Sequence, residues 1–147
     1  MKAVIQRVSE AKVEVREHVC SQIGKGLLIL LGIEKGDTDT DLDYLVKKVS
    51  QVRIFDDDQR KMNLSVPDIG GELLVISQFT LSADCRKGNR PSFDNAEEPV
   101  KAKERYDQFI RQLRSSGMQV HTGEFGSRMR VHLINDGPVT ILLDSRK

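Results

Sequence analysis

A glycine–proline pair interrupts two apolar, strand-like runs, in the order Val131-His132-Leu133-Ile134, Asn135-Asp136-Gly137-Pro138, Val139-Thr140-Ile141-Leu142-Leu143. Proline has no N–H to give to a strand ladder, so it is kept out of central strands and confined to edges, turns and bulges. Gly137-Pro138 therefore predicts a shaped turn, an edge or a bulge inside a β-rich region. A second segment of the same kind, Ser77-Gln78-Phe79-Thr80, follows the apolar run Leu73-Leu74-Val75-Ile76. Polar groups set at the end of a rigid strand are well placed to meet a ligand.

Hydrophobic periodicity supplies the surrounding elements. Lys2–Val8 and Ala11–Val19 alternate apolar and polar residues, which predicts two strands and suggests a hairpin between them. Leu27–Ile33 is continuously apolar, the pattern of a strand buried on both faces. The acidic lead-in Asp37–Asp41 precedes Leu42, Leu45, Val46 and Val49 at helical spacing, so a helix is expected over Asp39–Gln51. Val52–Phe55 reads as a short strand, Asp56–Gly71 as a loop or hairpin, and Glu72–Phe79 as a strand. After a loop over Ser82–Asn95, the stripe Val100, Tyr106, Phe109, Ile110 and Leu113 predicts a second helix over Ala96–Ser116, with Gly117 just past its end. Met118–His121, Arg128–Ile134 and Val139–Leu143 complete the strands. The expectation is one α/β domain over residues 1–147, in the order β-β-β-α-β-α-β-β-β, or β2-(βα)2-β3.

The chain has 147 residues, ordinary for one domain and long enough to bury a core without disulfide staples. Its two cysteines, Cys20 and Cys85, suit a reducing compartment and have no metal-ligand spacing. The opening residues lack the apolar stretch of a secretion signal, and no run approaches a membrane span, so a cytoplasmic location without membrane association is expected. The net charge of +1 argues against broad nonspecific nucleic-acid binding and does not exclude a local basic patch, because phosphate contacts depend on local charge.

Several chemistries find no support. His18, His121 and His132 are scattered, no C-x-x-C occurs, and Asp56-Asp57-Asp58 lacks the spacing of a calcium loop. No metal and no cofactor are expected. There is no phosphate-binding glycine loop, and Gly24-Lys25-Gly26 reads as a turn. Ser77 and Thr80 are candidate hydroxyl nucleophiles, but such a group needs a base, and no nucleophile elbow surrounds Ser77. Thr80 also suits a strand for structural reasons alone. The alternative is that backbone N–H groups of this segment and the Gln78 amide polarise a carbonyl, an oxyanion-hole role. Arg86, Lys87 and Arg90 sit in the following glycine-containing loop, as an exposed solvated loop or as a phosphate contact beside the site. Lys101, Lys103, Arg105, Arg111 and Arg114 are interleaved with acids and read as surface residues.

Four segments, in order, resemble the D-aminoacyl-tRNA deacylases of the bacterial and eukaryotic type. They are Met1-Lys2-Ala3-Val4-Ile5-Gln6-Arg7-Val8, Ser77-Gln78-Phe79-Thr80-Leu81, Lys87-Gly88-x-Arg90-Pro91-Ser92-Phe93 and Asn135-x-Gly137-Pro138-Val139-Thr140. The resemblance spans essentially the whole chain. It implies a three-layer α/β/β fold with two mixed sheets and a helical layer. It implies hydrolysis of the ester of D-aminoacyl-tRNA, and of glycine wrongly attached to tRNA, by a homodimer with active sites at the subunit interface. It also implies that Gly137-Pro138 is a cis peptide entering the partner's site to exclude L-amino acids, and that Arg7 orients this turn. Catalysis would draw on Ser77, Gln78, Phe79 and Thr80, with assistance from the 2′-hydroxyl of the terminal adenosine. The rival readings are a hydrolase with Thr80 as covalent nucleophile and a non-catalytic RNA-binding module. The module is disfavoured by two tyrosines, five phenylalanines and no tryptophan.

Overall fold

The computed structural model describes residues 1–147. Its elements run β1 (Lys2–Val15), β2 (His18–Ile23), β3 (Gly26–Gly32), α1 (Asp39–Gln51), β4 (Phe55–Asp56), β5 (Met62–Leu64), β6 (Glu72–Ser77), α2 (Pro99–Ser115), β7 (Gln119–Thr122) and β8 (Arg130–Asp144). Six strands form one mixed sheet in the order β2-β1-β3-β6-β7, with β8 paired to β1. β1 is antiparallel to β2, β3 and β8, whereas β3, β6 and β7 run parallel through crossovers that carry the helices. The expected second mixed sheet is not formed: β1 pairs with β8 along nearly its whole length and keeps six strands in one sheet, and the remaining two make the antiparallel hairpin β4–β5.

The apolar run of β3 behaves as its composition dictates. Leu27, Ile29 and Leu31 face a core of 23 buried residues that also takes in the apolar stripes of α1 and α2. Leu28 joins a smaller cluster of seven on the opposite face with Leu74 and Ile76. Each fully buried leucine or isoleucine removes apolar surface worth about 1.5–3 kcal/mol from water.

The two expected N-terminal strands are one, β1. Ala3 and Ile5 belong to the larger cluster, whereas Val8, Ala11 and Val13 belong to the smaller one. The change of face occurs at the exposed pair Ser9-Glu10, where the pairing register with β8 shifts. The phase break is therefore a bulge within a long strand, not a hairpin turn. The hairpin lies further on, at Arg16-Glu17 between β1 and β2, where both residues have positive φ (49° and 64°). β8 likewise joins the two expected strands Arg128–Ile134 and Val139–Leu143 into one.

Helix α1 begins where the acidic lead-in predicts, with the Asp41 carboxylate accepting the Thr38 N–H at 2.8 Å. Helix α2 starts at Pro99 rather than Ala96. The Glu98 carboxylate caps it by accepting the N–H groups of Val100 and Lys101 at 3.1 and 2.9 Å, and proline fits the first helical position because it has no N–H to satisfy. The Met1 ammonium is buried against Asp37 at 2.5 Å, and Arg146 holds the same carboxylate at 2.8 Å, tying the two ends of the chain together. No helix is long and apolar enough to cross a membrane.

Candidate active site

Strand β6 ends at Ser77, opposite Leu31 of β3, not at Phe79. The Gln78 N–H donates to the Leu31 carbonyl at 2.8 Å, and the chain then tightens into one 3-10 turn over Phe79–Ser82. Gly32 makes this closeness possible. A Cβ there would lie 3.0 Å from Leu81 Cβ and 3.1 Å from the Gln78 carbonyl oxygen. The Gln78 side-chain amide donates to the Thr80 hydroxyl. The first N–H groups of such a turn have no partner within it, and those of Phe79 and Thr80 meet no acceptor elsewhere in the protein. Phe79 is exposed, its ring edge-on to Phe93 with centroids 5.2 Å apart.

Ser77, Gln78 and Phe79 form one wall of a cleft of about 460 Å³. Ala96, Glu97 and Pro99, ahead of and at the start of α2, form a second. Phe125, Gly126, Ser127 and Met129 form a third. None of these seven residues was singled out in the sequence. They are brought together by backbone bonds such as Glu97 N–H to Ile33 carbonyl at 3.0 Å, and no local motif marks them. Outside the lining, buried Tyr106 ties α2 to β6 by donating to the Val75 carbonyl at 2.7 Å, and burial pushes its phenol well above the ordinary range, so it stays neutral. The only ionisable lining residue is Glu97, whose carboxylate already accepts the Glu98 N–H at 2.9 Å. The cleft thus holds no histidine, lysine or cysteine to act as a base. Thr80 does not line it.

Gly137-Pro138 is a cis peptide within a bulge of β8. Gln6 pairs with Thr140 and Val8 with Asn135, so Arg7 alone faces four residues, Asp136 to Val139. Arg7 is 8% exposed and fastens the bulge from beneath. Its Nε donates to the Asp136 carbonyl and its Nη1 to the Ile54 carbonyl, both at 2.7 Å. The Asn135 side chain accepts the Val139 N–H at 2.7 Å and donates to Thr140 Oγ1 at 3.0 Å. Gly137 has φ +151°, and a Cβ there would lie 2.8 Å from the Val139 nitrogen and 3.3 Å from Arg7 Nη2. An alanine at this position would therefore disturb its own loop, not only whatever the loop meets.

The bulge and the cleft are well separated within one chain. Arg7 pairs with Leu27 and Leu27 with Leu73, four residues short of Ser77 along β6. That is about 13 Å along the strands, and along β8 itself Gly137 lies six residues, about 20 Å, from Val131, which lines the cleft. Gly137 and Pro138 are exposed and do not line the cleft.

The basic loop is exposed. Arg86 is paired to Asp84 at 2.5 Å, and its hydrogen bonds hold that carboxyl down to about 2. Lys87 and Arg90 make no ion pair. His121 and His132 pair with Glu72 and Glu14, at 3.2 and 3.0 Å.

Residues 4–144 match the family model described as D-Tyr-tRNA(Tyr) deacylase. A protein of Thermotoga petrophila named D-aminoacyl-tRNA deacylase is 57% identical over 147 residues, covering 100% of this chain and 99% of that one. A protein of the same name from Clostridioides difficile is 55% identical, with the same coverage. Among solved structures, the c-Myc DNA unwinding element binding protein superposes with a TM-score of 0.94 at 43% identity, over 98% of both chains. A probable eukaryotic D-amino acid tRNA deacylase superposes with a TM-score of 0.83 at 17% identity over 97% of both, which is a likeness of fold. On these matches the chain belongs to the D-Tyr-tRNA(Tyr) deacylase family.

Proposed function

We propose that residues 1–147 act as one cytoplasmic domain that hydrolyses the ester of D-aminoacyl-tRNA, and of mischarged glycyl-tRNA, while rejecting L-aminoacyl-tRNA. The observation that carries this reading is the bulge around Gly137-Pro138: a main-chain surface fixed from below by Arg7, projecting from the sheet and distant from its own cleft. An enzyme that clears many D-amino acids must read the α-carbon and not the side chain. Rigid carbonyls can hold the amine and leave no room for an L side chain. Glycine passes such a filter because it has nothing to exclude. Seated on the cleft of a second copy, the bulge would complete the site, which makes the active species a homodimer.

The chemistry follows from what the cleft contains. With no histidine, lysine or cysteine in the lining, the substrate's own 2′-hydroxyl would relay a proton from the attacking water to the leaving 3′-oxygen of the adenosine, which gives the free amino acid and the free tRNA end. The unpartnered N–H groups of Phe79 and Thr80, with Ser77 and Gln78, would stabilise the oxyanion. One such donor is typically worth about 100- to 1,000-fold in rate. The Thr80 hydroxyl, bound by the Gln78 amide and outside the lining, is poorly placed as a nucleophile. Lys87 and Arg90, with the partly neutralised Arg86, would meet tRNA phosphates.

Matched D- and L-tyrosyl-tRNA separate the readings. Rapid loss of the D ester alone supports the deacylase. A trapped acyl-enzyme supports the Thr80 nucleophile, and binding without turnover supports an RNA-binding module. Substitution of 2′-deoxyadenosine at the 3′ end should abolish turnover; an unchanged rate refutes substrate assistance.

A further inference from the structure

The groove between α2 and β7, about 530 Å³ in volume, adjoins the cleft, and Phe125 lines both. Lys103, Asp107, Arg111 and Arg114 present one face of α2 to it, at spacings of four, four and three residues. Its two carboxylates are already engaged: Asp107 holds Lys103 at 2.6 Å, and Glu124 holds Arg16 at 3.2 Å. Arg111 has no carboxylate partner. Arg114 spends Nε and Nη2 on the Val120 carbonyl, at 3.3 and 2.8 Å, which anchors the guanidinium and leaves its Nη1 donors unused. Two arginine cations therefore face a mostly polar groove one aromatic ring away from the cleft.

We propose that this groove is a phosphodiester subsite for the single-stranded 3′ end of tRNA, with Arg111 and Arg114 as its contacts. The inference rests on the deacylase reading above. If the terminal adenosine occupies the cleft, the phosphate on its 5′ side must leave across one wall. The Phe125 wall opens onto arginines whose forked donors suit phosphate oxygens. Lys87 and Arg90 line neither cavity.

The test compares D-tyrosyl-tRNA with D-tyrosyl-adenosine, which has no phosphate, using the wild type, Arg111→Ala and Arg111→Glu. The ratio of kcat/KM for the tRNA over the adenosine ester should fall about tenfold in Arg111→Glu, mainly through KM. The salt dependence of kcat/KM on tRNA should lose about one unit of log–log slope in Arg111→Ala. An unchanged ratio and slope overturns the subsite, as does an equal loss on both substrates. Failure of the wild type on both substrates condemns the deacylase reading instead. The groove is then read by anisotropy of a short RNA ending in CCA. Weaker binding by Arg111→Glu upholds it, and undiminished binding overturns it.

Discussion

Replacing Arg7 should loosen the bulge before it loosens the fold. The guanidinium makes two 2.7 Å hydrogen bonds, one to the Asp136 carbonyl in the bulge and one to the Ile54 carbonyl ahead of the β4–β5 hairpin. Hydrogen bonds from a charged group contribute about 1.5–3 kcal/mol each. The third contact, at 3.4 Å to the half-exposed Asp56 carboxylate, adds little. Arg7→Met should therefore cost roughly 3–5 kcal/mol and lower Tm by on the order of 10 °C. Arg7→Lys keeps the charge but has no planar fork to bridge two carbonyls, so it should lose about half as much. If the bulge carries the chirality filter, Arg7→Lys should also raise the rate on L-tyrosyl-tRNA relative to D-tyrosyl-tRNA. A drift that removes about 1.4 kcal/mol of steric exclusion is tenfold in that ratio. Scanning calorimetry and paired deacylation assays read the two effects. A lysine variant with wild-type Tm and wild-type D/L ratio would refute both the bracing role and its link to selectivity.

Three further perturbations probe separate parts of the molecule. Thr80→Ala removes an exposed hydroxyl whose partner is the Gln78 amide, so most activity should remain; a folded, substrate-binding but dead variant would restore the nucleophile model. Gly32→Ala puts a methyl 3.0 Å from Leu81 Cβ and 3.1 Å from the Gln78 carbonyl oxygen, a strain of about 1–3 kcal/mol. It should depress kcat more than it depresses Tm, and an unaffected kcat would show that the turn's position does not matter. Asp37→Asn leaves the Met1 ammonium buried without its carboxylate, for a loss of about 3–5 kcal/mol, and a urea midpoint equal to wild type would contradict that cost.

The elements with strong internal signals were legible in the sequence: β3 from its unbroken apolar run, α1 and the body of α2 from helical spacing, and the irregularity at Gly137-Pro138 from the missing proline donor. What escaped depended on partners far along the chain. Ser9-Glu10 looks like a strand boundary because the alternation breaks there, yet β8 pairs on both sides of the break and holds it as a bulge. The β1–β2 turn was unreadable because Arg16 and Glu17 occupy positive φ without glycine or asparagine to announce it. The start of α2 did carry a signal, Pro99 behind a capping Glu98, which the apolar stripe outweighed. Ser77, Gln78 and Phe79 were visible as a strand end. Their companions Ala96, Phe125 and Met129 could only be found once the fold had closed the cleft.

The separation of bulge and cleft constrains the assembly. Six residues along β8 from Val131 and four along β6 from Ser77 cannot be closed by a side-chain movement, and Arg7 and Asn135 hold the bulge to its own strand. A filter made of Gly137-Pro138 can act only on the cleft of another molecule. Apolar side chains left in solvent, Leu142 at 78% exposed, Phe79 at 56% and Ile134 at 53%, give a second copy apolar surface to cover. Light scattering under assay conditions should therefore return twice the 16.6 kDa chain mass. Dilution to monomer should abolish chiral selectivity together with turnover. A monomer that still hydrolyses the D ester and spares the L ester would place the filter elsewhere in the chain.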